Sequence, residues 1–101
     1  MAAPAKLSES EITDRLQRLS VWRKDDSEIT RTIEFKDFAD AMAFVERVAA
    51  RAEETGHHPD ICIEKASRVR LTLTTHSAGG LTAHDFDMAE KIDQEVEAEV
   101  R

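Results

Sequence analysis

The chain is poor in the residues that cross-link or punctuate small proteins. Of its 101 residues one is cysteine, two are proline, three are glycine and none is tyrosine. With Cys62 alone, no internal disulfide can form and a cysteine-based zinc site is ruled out, which fits a reducing compartment. Basic residues are scarce as well, 14 against 21 acidic ones, for a formal charge of −7. A nucleic-acid-binding domain needs a basic stripe to neutralise phosphates, and none is present, so a nucleic-acid partner is not expected. Apolar runs span only a few residues, far short of the roughly 20 that cross a bilayer, so no membrane association is expected. The opening stretch "MAAPAKLSES" has no apolar core of a secretory signal, and the expected location is the cytoplasm. No G-x-G-x-x-G, no P-loop and no serine nucleophile elbow occurs, which removes nucleotide cradles and serine acyl transfer. What remains is 41% hydrophobic. That suffices for one core, and residues 1–101 are expected to form a single domain.

Local signals are dense. Residues 1–6 are small and featureless. Ser8 can cap a helix, Glu11 three positions on completes a capping box, and Leu7 with Ile12 makes a hydrophobic staple. Ile12, Leu16 and Leu19 follow at helical spacing, which predicts a helix over 9–19. In "VWRKDDSEITRTIEF", Ile29, Ile33 and Phe35 share one phase of a two-residue alternation and Thr30, Thr32 and Glu34 the other, a half-buried strand. Val21 and Trp22 are expected to begin an earlier strand, with "KDDS" as the turn. Asp37 caps a long helix over 38–55, with an apolar stripe of Phe38, Met42, Val45, Val48, Ala49 and Ala52. Gly56 suits a left-handed helix stop and Pro59 prevents resumption.

"ICI" and "RVRLTLTTH" read as two further strands joined by "EKAS". In the second, Val69, Leu71, Leu73 and Thr75 face one way and Arg70, Thr72, Thr74 and His76 the other. Thr82 and Asp85 mark the start of a third helix of the capping-box kind, whose stripe is Phe86, Ala89, Ile92, Val96 and Val100. The order α-β-β-α-β-β-α implies an α+β two-layer sandwich, an antiparallel sheet covered on one face.

Half of the four histidines stand side by side in "ETGHHPDICIE". Imidazole is the side chain best suited to proton transfer near neutral pH, so His57 and His58 are candidates for acid–base work. A helix C-terminus also favours cations by a few tenths to about 1 kcal/mol, which would explain the pair without a site. His76 lies on the polar phase of its strand beside a glycine-containing loop. These histidines with Glu53 and Asp85 could instead ligate a metal, but adjacent side chains diverge, and H-x-x-x-H on a helix is the better zinc spacing. No metal is expected. His84, in the first turn of the third helix, reads as a cap or a solvated residue.

Helix, "HHP", two strands, "TTHSAGGLTAHD", helix is a specific combination. It resembles the pterin-4a-carbinolamine dehydratases, whose pattern is E-x-x-x-H-H-P, a strand ending in T-H, then G-L-[ST]-x-x-D. The matching stretches are "EETGHHPD" and "LTLTTHSAGGLTAHD". "FKDFADAMAFVERVA" resembles the family's helix opening, and the likeness runs from about residue 8 to 98. The resemblance implies a four-stranded antiparallel sheet with three helices on one face. It implies dehydration of 4a-hydroxytetrahydrobiopterin to quinonoid dihydropterin, which recycles the cofactor of aromatic amino-acid hydroxylases, in a homodimer or homotetramer and with no cofactor of its own. Residue by residue it makes His57, His58 and His76 catalytic, and Glu53, Pro59, Asp85 and Trp22 substrate-binding, with Trp22 able to stack on the flat pterin. The stretch after "HHP" carries none of the aromatics that family members often have there. That holds open a second reading, a dehydratase-like scaffold for protein binding or assembly.

Overall fold

The computed structural model describes residues 5 to 100, with side chains through residue 97. Residues 1–4 of the featureless N-terminus and the Val100 side chain of the third apolar stripe therefore lie outside the described residues. The elements are α1 (Glu9–Arg18), β1 (Arg23–Asp25), β2 (Glu28–Glu34), α2 (Phe38–Thr55), β3 (Asp60–Glu64), β4 (Arg68–Leu73), a 3-10 turn (His76–Ala78) and α3 (Ala83–Val100). The strands form one antiparallel sheet in the order β1-β2-β4-β3. This is the α+β architecture expected, with three helices and four strands in the order α-β-β-α-β-β-α.

Each helix starts where its cap chemistry places it. Ser8 accepts from the Glu11 N–H and Glu11 accepts from the Ser8 N–H, the complete capping box of α1. Asp37 accepts from the Asp40 N–H at 2.8 Å and starts α2. Gly56 ends α2 at φ 71°, donating to the Ala52 carbonyl at 2.9 Å; this left-handed conformation is cheap for glycine and costly for residues with a Cβ.

The core lies between the inward phase of the sheet and the helices. Ile29, Val69, Leu71 and Leu73 are fully buried, and Ile61 and Ile63 pair in register with Leu71 and Val69. The outward phase pairs Thr30 with Thr72, Thr32 with Arg70 and Glu34 with Arg68, the last also an ion pair at 2.5 Å. Period-two alternation thus sorted the two faces of β2 and β4.

Three expectations change. Val21 and Trp22 do not begin β1: it starts at Arg23, includes Lys24 and Asp25, and turns through Asp26 and Ser27 alone. Trp22 is drawn into the core instead, 4% exposed, because a large aromatic ring gains more from burial than from an edge-strand position. The buried stripe of α2 is Ala41, Phe44, Val48 and Ala52, whereas Phe38 is 54% exposed and Ala49 is exposed. Val48 and Ala52 are buried as expected and Val45 packs against the core, but at the start of the helix Ala41 and Phe44 replace Phe38, with the fully buried Phe44 ring 5.0 Å from that of Phe35, centroid to centroid. Finally, β4 ends at Leu73 rather than at His76.

Candidate active site

The end of β4 builds one wall of the site. Thr75 pairs with Gly80 through two backbone hydrogen bonds, 3.2 and 3.4 Å, closing a loop that holds the 3-10 turn. His76 opens that turn and is exposed, so its place at a strand end gives way to a place on a closed loop. Gly79 makes the closure possible at φ 72°. Leu7 donates to the Leu81 carbonyl at 2.9 Å, so the residues leading into α1 are tied to the chain just after this loop.

The connection from α2 to β3 carries the histidine pair. The left-handed Gly56 turns the chain, and the two imidazoles diverge, as neighbours on an extended connection must. His57 turns inward. Its Nε2 lies 2.6 Å from Asp85 Oδ1, and the two side chains are 16% and 0% exposed. His58 turns outward and pairs through Nε2 with Glu53, one turn back on α2, with side chains 59% and 76% exposed. An ionised carboxylate can only accept, so each Nε2 donates in its bond and each Nδ1 takes no part in it.

Asp85 is the hub. Its Oδ2 accepts from Thr75 Oγ1 at 2.8 Å and from the Thr82 N–H at 2.9 Å, while Oδ1 faces His57. The start of α3 is therefore half of the expected capping box. Asp85 reaches back to the Thr82 N–H, but the Thr82 hydroxyl turns to Thr75 Oγ1 at 2.8 Å instead of capping. A fully buried carboxylate without donors would be severely destabilising; with three it becomes a rigid acceptor.

His57 borders a groove of about 240 Å³ between the end of α2 and the face of α3, with Thr55, His84, Asp87, Met88 and Lys91 among its walls. The His84 ring centroid is 5.9 Å from that of His57. Its place in the first turn of α3 suggests only a cap or a solvated residue; the docking of α3 on α2 gives it one side of the groove. A larger hollow of about 410 Å³ between α1 and α3, under Arg15 and Phe86, contains no histidine.

Of the residues singled out in the sequence, His57 lines the groove between α2 and α3, and His58, Pro59, His76 and Trp22 do not. Pro59 is half-buried between His58 and β3. No side-chain hydrogen bond involves the His76 imidazole among the described residues. Trp22 does not line the groove: its Nε1 donates to Asp93 Oδ1 at 2.9 Å, where Arg31 also binds at 2.5 Å. Arg31 stands on the inward phase of β2 between Ile29 and Ile33, and this arginine–aspartate–tryptophan cluster was not foreseen, because a charged residue on an apolar phase has no local signature of its distant partner. Among the described residues no group of three or more His, Cys, Asp or Glu is placed to hold a metal ion. No helix among them is long and apolar enough to cross a membrane.

The family model described as pterin 4 alpha carbinolamine dehydratase matches residues 5–95. A relative from Acidobacterium capsulatum, provisionally named pterin-4-alpha-carbinolamine dehydratase, is 53% identical over 89 residues, covering 88% of this chain and 96% of its own. One from Roseiflexus sp. (strain RS-1) with the same provisional name is 49% identical over 89 residues, covering 88% and 95%. Among solved structures, a transcriptional coactivator/pterin dehydratase from Brucella melitensis superposes with a TM-score of 0.84 at 40% identity, covering 89% of this chain and 97% of that one. A pterin dehydratase-like protein identified as a RuBisCO assembly factor in the alpha-carboxysome superposes at 0.60 with 25% identity, covering 73% and 84%.

Proposed function

The chain belongs to the pterin 4 alpha carbinolamine dehydratase family, and on that premise we propose that it dehydrates 4a-hydroxytetrahydrobiopterin to quinonoid dihydropterin by histidine acid–base catalysis. The reaction breaks the C4a–O bond and removes one ring N–H proton, so one water leaves. The departing oxygen must gain a proton and a ring nitrogen must lose one. His57, His58 and His76 are the groups for these transfers. An imidazole held with one nitrogen engaged and the other free is suited to either step.

The observation that carries this reading is the His57–Asp85 pair, an imidazole whose Nε2 is engaged at 2.6 Å by a carboxylate with no solvent exposure. Such an arrangement fixes the tautomer and aims Nδ1, which a solvated surface histidine would not need. Glu53 does the same for His58 at the surface, and Glu53, Asp85 and Pro59 are assigned to the substrate pocket. Trp22, within the core, supports α3 through Asp93 in this reading rather than stacking on the pterin. The whole chain acts as one domain, in the cytoplasm, as a homodimer or homotetramer, and returns pterin to aromatic amino-acid hydroxylases.

The test is stopped-flow dehydration of freshly generated 4a-hydroxytetrahydropterin with and without the purified protein. Acceleration well above the spontaneous rate is expected. A second reading, a dehydratase-like scaffold in protein assembly, is favoured by the likeness to the RuBisCO assembly factor. Folded protein that leaves the spontaneous rate unchanged would move the assignment there.

A further inference from the structure

The hydrogen bonds behind His57 have a definite direction. The Thr75 hydroxyl carries one proton, and its partner Asp85 Oδ2 can only accept, so that proton is committed to the carboxylate. Thr82 Oγ1, 2.8 Å from Thr75 Oγ1, must then donate its own proton to Thr75. Oδ2 also takes the Thr82 N–H. It is thereby filled, and Oδ1 is the oxygen left for the imidazole. Thr82 and Asp85 are fully buried and Thr75 is 7% exposed, so water has little access to replace a missing hydroxyl. Thr75 also precedes His76 and closes its loop by the two backbone bonds to Gly80.

We infer that Thr75 is a positioning residue that couples the two halves of the site: its hydroxyl sets the Asp85 carboxylate that orients His57, while its backbone anchors the turn that presents His76. Thr82 acts one step further back, as the donor that points the Thr75 proton at Asp85. The consequence for turnover rests on the acid–base reading above; the consequence for the His57 ring does not.

The experiment compares the full chain with Thr75→Val, Thr75→Ser and Thr82→Val. It reads dehydration kinetics and, by NMR on 15N-labelled protein, solvent exchange of the His57 Nε2 proton. Valine keeps the shape of threonine and loses the donor to a charged acceptor. Thr75→Val is expected to lower kcat about tenfold with KM within about twofold, and to speed exchange of the Nε2 proton at least about tenfold. Thr75→Ser restores both. Thr82→Val keeps the backbone donor to Asp85 and moves both readouts in the same direction by about threefold. Folded Thr75→Val with unchanged exchange overturns the inference, as does a serine variant that recovers neither readout, since that would assign the residue to methyl packing. If Thr75→Val does not fold, Thr82→Val decides, and unchanged exchange there overturns it. If the wild type itself fails to accelerate dehydration, the acid–base reading falls, while proton exchange still supports or overturns the positioning of His57.

Discussion

His57 and His58 are neighbours in the chain, each with a carboxylate on its Nε2, and yet the two pairs are different objects. His57 and Asp85 lie at 16% and 0% exposure, His58 and Glu53 at 59% and 76%. The buried pair belongs to a network with Thr75 and Thr82, so removal of one member strands the others without water. The exposed pair can exchange its partner for solvent at little cost. The same two residue types therefore make a rigid brace in one place and an adjustable surface contact in the other.

Turnover is where the buried and the exposed histidine should respond most strongly. His57→Ala and His76→Ala are each expected to lower dehydration at least about 10²-fold while circular dichroism shows an intact fold. Unchanged turnover in both would remove the histidines from the mechanism and leave the buried pair a structural feature. Stability separates the two carboxylates next. Asp85→Ala removes the acceptor of three buried donors and is expected to cost about 3 kcal/mol or more, lowering the unfolding midpoint by more than about 10 °C in a chain of this size. Glu53→Gln is expected to change stability by less than about 0.5 kcal/mol. Equal shifts in thermal unfolding would show that burial does not distinguish the pairs.

The smallest effect is a pH control remote from the site. Hydrogen bonds from the Ser8 backbone and side chain hold the Glu11 carboxyl below its ordinary value of 4.5. A carboxyl lowered in the folded state adds stability above its unfolded value and loses it as the pH falls through the folded one. Between about pH 5 and 3 the wild type should lose slightly more α1 helicity than Glu11→Gln, as read by far-UV circular dichroism. A parallel loss in both would place the acid sensitivity elsewhere.

Much of the fold was legible because its signals are local. Asp37 and Gly56 bracket α2 at the bounds the structure shows, and Ser8 with Glu11 starts α1 where expected. Legibility failed where two local choices were equally good. In α2 the apolar positions Phe38 and Phe44 compete for the same face and the packing buries Phe44, and the hairpin turn is only Asp26 and Ser27 because Lys24 and Asp25 pair with Ile29 and Glu28. His76 moved from a strand end to a closed loop because the Thr75–Gly80 bonds ended the ladder. That closure depends on two residues meeting across five positions, a pairing that alternation of side chains does not encode.

The candidate site divides along the same line. Glu53 and His58 are five positions apart, within reach of any helix that stops at a left-handed glycine, so helix geometry alone brings them together. His57 and Asp85 are 28 apart, and Thr75 and Asp85 ten. Their meeting requires β4 to insert between β2 and β3 and α3 to dock on α2. Residue types and spacing were enough to single out the histidines and the two carboxylates that pair with them. Which carboxylate would brace which imidazole was settled by burial, because Asp85 is carried into the interior when its neighbours Leu81, Phe86, Met88 and Ala89 bury their apolar surface in a core that the distant strands complete.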